Sequence, residues 1–136
     1  MPLPSEQLEA LLKTARSVRE CAYAPYSEYS VGSALLTSDG RIFSGCNVEN
    51  LSFGITICAE RNAIAAAVAA GMQVGQLRAI AVVGETLGQI TPCGACRQVI
   101  AEFACGVCVV IGAGPRGDSE TWSVEELLPH RFRAEL

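Results

Sequence analysis

Leu77-Arg78-Ala79-Ile80-Ala81-Val82-Val83-Gly84 and, after a connection over 85–91, Pro92-Cys93-Gly94-Ala95-Cys96-Arg97-Gln98-Val99-Ile100-Ala101-Glu102-Phe103 decide the fold. The first stretch is a continuous apolar run of strand length, the pattern of a strand covered on both faces. The second, preceded by Pro92, reads as a helix from about Cys93 to Phe103. Gly106 to Gly112 is then another buried strand. Strand, helix and strand in that order favour parallel neighbours in one sheet.

Toward the N-terminus, Cys58 opens a helix that runs to Ala70 and is closed by Gly71. Alanine on all sides of it predicts burial from several directions. Glu49 to Ile57 reads as a loop. Val31 to Thr37 and Arg41 to Val48 form a hairpin about Ser38-Asp39-Gly40. Ser5 is placed to cap a first helix whose apolar stripe is Leu8, Leu11, Leu12, Ala15, Val18 and Ala22. Toward the C-terminus a polar loop over 113–120 leads to a short strand or turn at Trp122. Ser123 then caps a last short helix over Val124 to Leu128, stopped by Pro129. The expectation is an α/β fold: a three-layer α-β-α sandwich on a mixed sheet of about five strands, one domain over residues 1–136.

Bulk properties narrow the function. Of 136 residues, 50% are hydrophobic and 18% charged, so the chain folds rather than staying disordered. The net charge of −4, with no basic cluster, argues against a nucleic-acid partner and for a small substrate of little charge. The longest apolar stretch, Ala63 to Ala70, is too short to span a bilayer. The first residues lack the pattern of a secretion signal, so a cytoplasmic location is expected. Seven cysteines without such a signal point to metal binding or buried thiols rather than disulfides.

Cys58, Cys93 and Cys96 are the metal-ligand candidates. Two cysteines separated by two residues can bind one ion from a single turn, and Cys58 can supply the third sulfur. Three protein ligands leave zinc one open position for water, the catalytic arrangement. Cys58 and Cys93 both sit at predicted helix starts, where free N–H groups and the helix dipole stabilise thiolates. Glu60, two residues past Cys58, is the candidate proton-transfer group. Arg61 and Arg97, each just past a ligand, are expected to donate to the sulfurs. The rival reading joins Cys93 and Cys96 to Cys105 and Cys108 in a closed four-cysteine zinc site of a non-catalytic binding module. The predicted helix between the pairs weighs against it. A redox role for Cys93 and Cys96 is a third option.

Cys58-Ala59-Glu60 followed by Pro92-Cys93-Gly94-Ala95-Cys96 matches the C/H-x-E and P-C-x-x-C signature of zinc-dependent deaminases. Ala24-Pro25-Tyr26-Ser27, Val31-Gly32, Gly45-Cys46-Asn47-Val48-Glu49-Asn50, Leu127-Leu128-Pro129 and Phe132 extend the match from about residue 5 to 132. The chain therefore resembles the small homotetrameric cytidine deaminases of pyrimidine salvage. The resemblance implies hydrolytic deamination of cytidine and 2′-deoxycytidine to the uridine analogues and ammonia. Zinc-bound hydroxide would attack the base and Glu60 would shuttle protons. It implies zinc on Cys58, Cys93 and Cys96, ribose hydroxyls on Asn47 and Glu49, and Tyr29 packed on the pyrimidine. It further implies Phe132 reaching a neighbouring subunit's pocket, Arg61 offsetting thiolate charge, and active sites built from more than one chain. Where the family usually has phenylalanine this chain has Tyr29, whose hydroxyl needs a partner. The runner-up substrate is another aminopyrimidine such as blasticidin S; the stretch Asn47 to Asn50 favours a ribosylated base. Cys21, Cys46, Cys105 and Cys108 are given no role beyond packing.

Overall fold

A computed structural model describes residues 2–86 and 90–136; three residues of the 85–91 connection, 87–89, lie outside the described set. Five strands form one mixed sheet in the order β2-β1-β3-β4-β5. They are β1 (Gly32–Thr37), β2 (Ile42–Cys46), β3 (Leu77–Val83), β4 (Ala104–Ala113) and β5 (Ser119–Ser123). Only β3 and β4 run parallel, joined by the crossover helix expected between them; the other three pairings are antiparallel.

Among the described residues four α-helices accompany the sheet: α1 (Ser5–Val18), α2 (Ala59–Ala69), α3 (Gly94–Phe103) and α4 (Val124–Leu127). Successive strand residues face opposite sides, so the alternation sorts the core into two halves. Ala34 and Leu36, Ala79 and Ala81, and Ile111 face α1 and pack on Leu11, Leu12 and Ala15. Leu35, Ile80 and Val110 face the other way, onto Ala63, Ile64 and Ala67 of α2 and Ile100 of α3. This is the three-layer α-β-α sandwich.

Three details differ from the sequence reading. Pro4, not Ser5, is the N-cap of α1, and Ser5 is already helical. Proline has its φ preset near the helical value and no N–H to satisfy, so it opens the helix without a side-chain acceptor. Phe53–Ile55 forms a single 3-10 turn within the expected loop. The alanine-rich α2 is not buried all round by its own chain. Ala59, Ala63, Ile64 and Ala67 are covered, but Ala65, Ala66 and Val68 are exposed. Alanine has no bulk to show which face a helix buries; the sheet takes one face only.

Register places the ends that matter together. Gly32 pairs with Cys46 on one side and Val83 on the other, and Val83 pairs with Ala113. The loop before β1, the end of β2 and the end of β3 therefore meet at one edge of the sheet. Gly45 lets β2 approach α2 closely: a Cβ there would lie 2.5 Å from Ala63 N and 2.8 Å from Ala59 O. Asn62 Nδ2 donates to Cys46 O at 2.8 Å across the same contact.

Candidate metal centre

Cys58 and Cys93 are the N-cap residues of α2 and α3, each in an extended conformation just ahead of the first helical turn. Their carbonyls accept the first intrahelical bonds, from Asn62 N at 3.1 Å and Arg97 N at 2.9 Å. The two helices share one sheet face, so their N-termini converge. The Sγ atoms of Cys58, Cys93 and Cys96 lie within 4.8 Å of one another. Cys58 Sγ and Cys93 Sγ are 3.8 Å apart. Two sulfurs at about 2.3 Å from a tetrahedral zinc stand about 3.8 Å apart, so the spacing fits that ion. Among the described residues this is the one group of three or more candidate ligands. Cys105 and Cys108 do not join it: α3 separates the pairs, and Cys108 is buried in β4. The closed four-cysteine site is not formed.

Charge is graded across the cluster. The neighbouring Cys96 thiol lowers the Cys58 thiol to about 5, with help from Arg61 and against the opposing effect of burial. Cys96, wholly buried, shifts the other way: the Cys58 sulfur beside it and desolvation hold its proton. Arg61 Nη2 donates to Cys58 Sγ at 3.3 Å, and the contacts with the Cys58 and Cys96 sulfurs strengthen its hold on its proton. Three residues past the cap, Arg61 lies over the same side of the helix as Cys58. Its buried Nε has no hydrogen-bond partner among the described residues. Glu60 is only 4% exposed, and burial pushes its carboxyl up to about 7.

Arg97 corrects the sequence reading. Its Nε donates to Pro92 O at 2.8 Å, one Nη to Leu127 O at 2.7 Å and the other to Thr91 Oγ1 at 3.0 Å. It fastens the approach to Cys93 and the end of α4 and donates to no sulfur. One residue past Cys96, inside the first turn of α3, it is turned roughly 100° about the helix axis from that sulfur.

The other candidates lie at the same sheet edge, with one exception. Asn47 follows β2 and is nearly buried; its Oδ1 accepts from Val31 N and its Nδ2 donates to Tyr29 O, both at 2.9 Å. Glu49 Oε1 accepts from Tyr26 N at 3.0 Å and Ser27 N at 3.1 Å. Tyr29 is half-buried, and its hydroxyl meets Thr86 Oγ1 at 3.2 Å, the partner that a tyrosine requires. Phe132 stands apart, 77% exposed on the tail after α4. Sequence reasoning gave Ser27 no role, yet its hydroxyl donates to Glu49 Oε2 and accepts from Tyr29 N at 3.0 Å. The second bond is a local turn readable from a serine two residues ahead of its donor; the first spans 22 residues and is not.

Residues 5–112 match the family model described as the cytidine and deoxycytidylate deaminase zinc-binding region. The chain is 47% identical over 128 residues to a cytidine deaminase of Sporosarcina psychrophila, covering 94% of this chain and 93% of that protein. It is 46% identical over 127 residues to a cytidine deaminase of Halalkalibacterium halodurans, covering 93% and 95%. The crystal structure of cytidine deaminase from Burkholderia pseudomallei superposes with a TM-score of 0.87 at 52% identity, covering 91% of this chain and 98% of that one.

Proposed function

The chain belongs to the cytidine and deoxycytidylate deaminase zinc-binding family, and on that premise we propose that it hydrolyses cytidine and 2′-deoxycytidine to the uridine analogues and ammonia. Residues 1–136 act as one deaminase domain in this reading. The observation that carries it is the sulfur triad at zinc spacing with a buried carboxyl, Glu60, two residues from one of its members.

Cys58, Cys93 and Cys96 would hold a zinc ion. Bound zinc lowers the pKa of water toward neutrality and so supplies a nucleophile for hydrolysis. Three thiolates on a divalent ion leave a net charge of −1, and Arg61 on the Cys58 sulfur offsets it. Glu60, with its carboxyl near 7, can take a proton and give it up at neutral pH. It would carry one proton of the attacking water to the ring nitrogen N3 and the second, from the hydroxyl then on the ring carbon, to the departing amine, so that water's two protons leave on N3 and on ammonia. Asn47 and Glu49 hold the ribose, and Tyr29 lies along the base. Arg97 acts indirectly, by fixing Thr91 and Pro92 ahead of Cys93.

Assembly as a homotetramer with composite sites is part of the proposal. Leu51, Phe53 and Ile55 project from the 48–57 loop, and Val68 from α2, as apolar side chains their own chain leaves exposed. A neighbouring copy would cover them, and would bring an exposed Phe132 to a partner's pocket. All seven cysteines are free, which suits a reducing, cytoplasmic setting and a role in pyrimidine salvage. Among the described residues no helix is long and apolar enough to cross a membrane.

The test is an ultraviolet assay of cytidine with purified, zinc-loaded protein, with and without a chelator. Cytidine absorbance is expected to fall, and the chelator to stop it. Unchanged absorbance with the zinc-loaded protein overturns the proposal.

A further inference from the structure

The loop over 24–31 and the end of β2 are knotted together by hydrogen bonds that no step above uses. From that geometry, and resting on the reading of Glu49 as a ribose ligand, we infer that Ser27 is the residue that positions the Glu49 carboxylate for the sugar.

Two backbone N–H groups, of Tyr26 and Ser27, both meet Glu49 Oε1. They anchor that oxygen alone, and the carboxylate can still swing about it. The Ser27 hydroxyl donates to Oε2 and supplies the second anchor. Its own direction is set in turn, because Ser27 Oγ accepts from Tyr29 N at 3.0 Å, which leaves its proton for Glu49. The turn that aims these donors is shaped by Glu28 N bonding Ala24 O at 3.0 Å and by Glu28 in the left-handed region, φ 56. Ser27 is also the leading reason that Glu49 sits below the usual carboxylate range, and the group therefore stays ionised and acts only as an acceptor.

A carboxylate offers about four acceptor positions. Both on Oε1 and one on Oε2 are taken. One remains, on Oε2, and a sugar hydroxyl fills it.

The experiment measures kcat and KM of wild type, Ser27→Ala, Ser27→Thr and Glu49→Ala on cytidine, 2′-deoxycytidine and 3′-deoxycytidine. Ser27→Ala is expected to lower kcat/KM on cytidine about tenfold, mostly through KM, as expected for a misaligned charged hydrogen bond. The same loss is expected on one deoxynucleoside, and a loss under about twofold on the other, which lacks the hydroxyl that Glu49 accepts. Ser27→Thr, which keeps the hydroxyl, is expected to recover most of the loss, and it carries the test if Ser27→Ala does not fold. An equal loss on all three substrates, or no loss on any while Glu49→Ala remains selective, overturns the role of Ser27. Glu49→Ala without substrate selectivity defeats the ribose reading of Glu49 itself, and is thereby told apart from failure of Ser27 alone.

Discussion

Gly45→Ala moves the metal centre without touching any of its residues. The added methyl would lie 2.5 Å from Ala63 N, 2.8 Å from Ala59 O and 2.9 Å from the Asn62 carbonyl carbon. Ordinary contact begins at 3.4 Å, so the strand and the helix must part by about 0.9 Å. All three obstructing atoms are α2 backbone, and none can rotate away. The sheet holds β2 through its pairing with β1, whereas α2 begins at Cys58 after an exposed loop, so the helix start yields. Zinc sites hold ligand distances to about ±0.2 Å, several times less than the required shift. Glu60 rides on the same turn, and about 1 Å of misplacement costs on the order of a hundredfold in rate. The expected outcome is weaker zinc retention, kcat reduced about a hundredfold, and a stability loss of about 1–3 kcal/mol. Metal analysis after dialysis, steady-state kinetics and thermal melting read the three effects. Gly106→Ala is the control, because nothing lies within 4 Å of a Cβ there and its φ is not positive. A Gly45→Ala protein with one zinc per chain and wild-type kcat would falsify the reasoning that this close approach sets the sulfur geometry.

Three further outcomes are expected. Glu60→Gln keeps the sulfurs intact, so it should retain zinc while kcat falls by about 10²–10⁴; loss of the metal instead would mean that Glu60 holds the site together. Arg97→Met removes donors to Pro92 O, Leu127 O and Thr91 Oγ1 and should cost about 1–3 kcal/mol in denaturant melts, with zinc dissociating faster. In timed alkylation at pH 8, exposed Cys21 should react while Cys108 stays unmodified until the protein unfolds. Cys108 is buried, and burial pushes its thiol up to about 12, which leaves on the order of one thiolate in ten thousand at that pH. Alkylation of Cys108 at the rate of Cys21 would contradict its placement in β4.

What could be read in the sequence was what is local. Cys58 and Cys93 were recognisable as helix starts because a cap is fixed by its own few residues. The parallel β3–β4 pair followed from an apolar run, a helix and a second apolar run. Arg61 reaches the Cys58 sulfur because three residues along a helix is about one turn, whatever the surroundings. Arg97 was not, because its acceptor Leu127 lies 30 residues away, and a long side chain goes where its partners are. Ser27 was given no role for the same reason: its loop is brought beside Glu49 by long-range backbone bonds, Tyr23 N to Asn47 O at 3.0 Å and Glu49 N to Tyr23 O at 2.9 Å.

The alanine helix shows where a single chain stops explaining its own sequence. Burial from several directions was expected, yet within its own chain the helix leaves Ala65, Ala66 and Val68 open. Neither helix propensity nor solubility requires a surface this poor in charge. The 48–57 loop adds Leu51, Phe53 and Ile55, again exposed. That loop lies between Asn47 and Cys58, so in the proposed assembly the copy that covers it would also bear on the proposed metal and ribose ligands. In that proposal, covering the apolar face and fixing the active site are one requirement. A chain kept monomeric by charged substitutions at Leu51 and Phe53 should therefore lose activity even with its zinc retained.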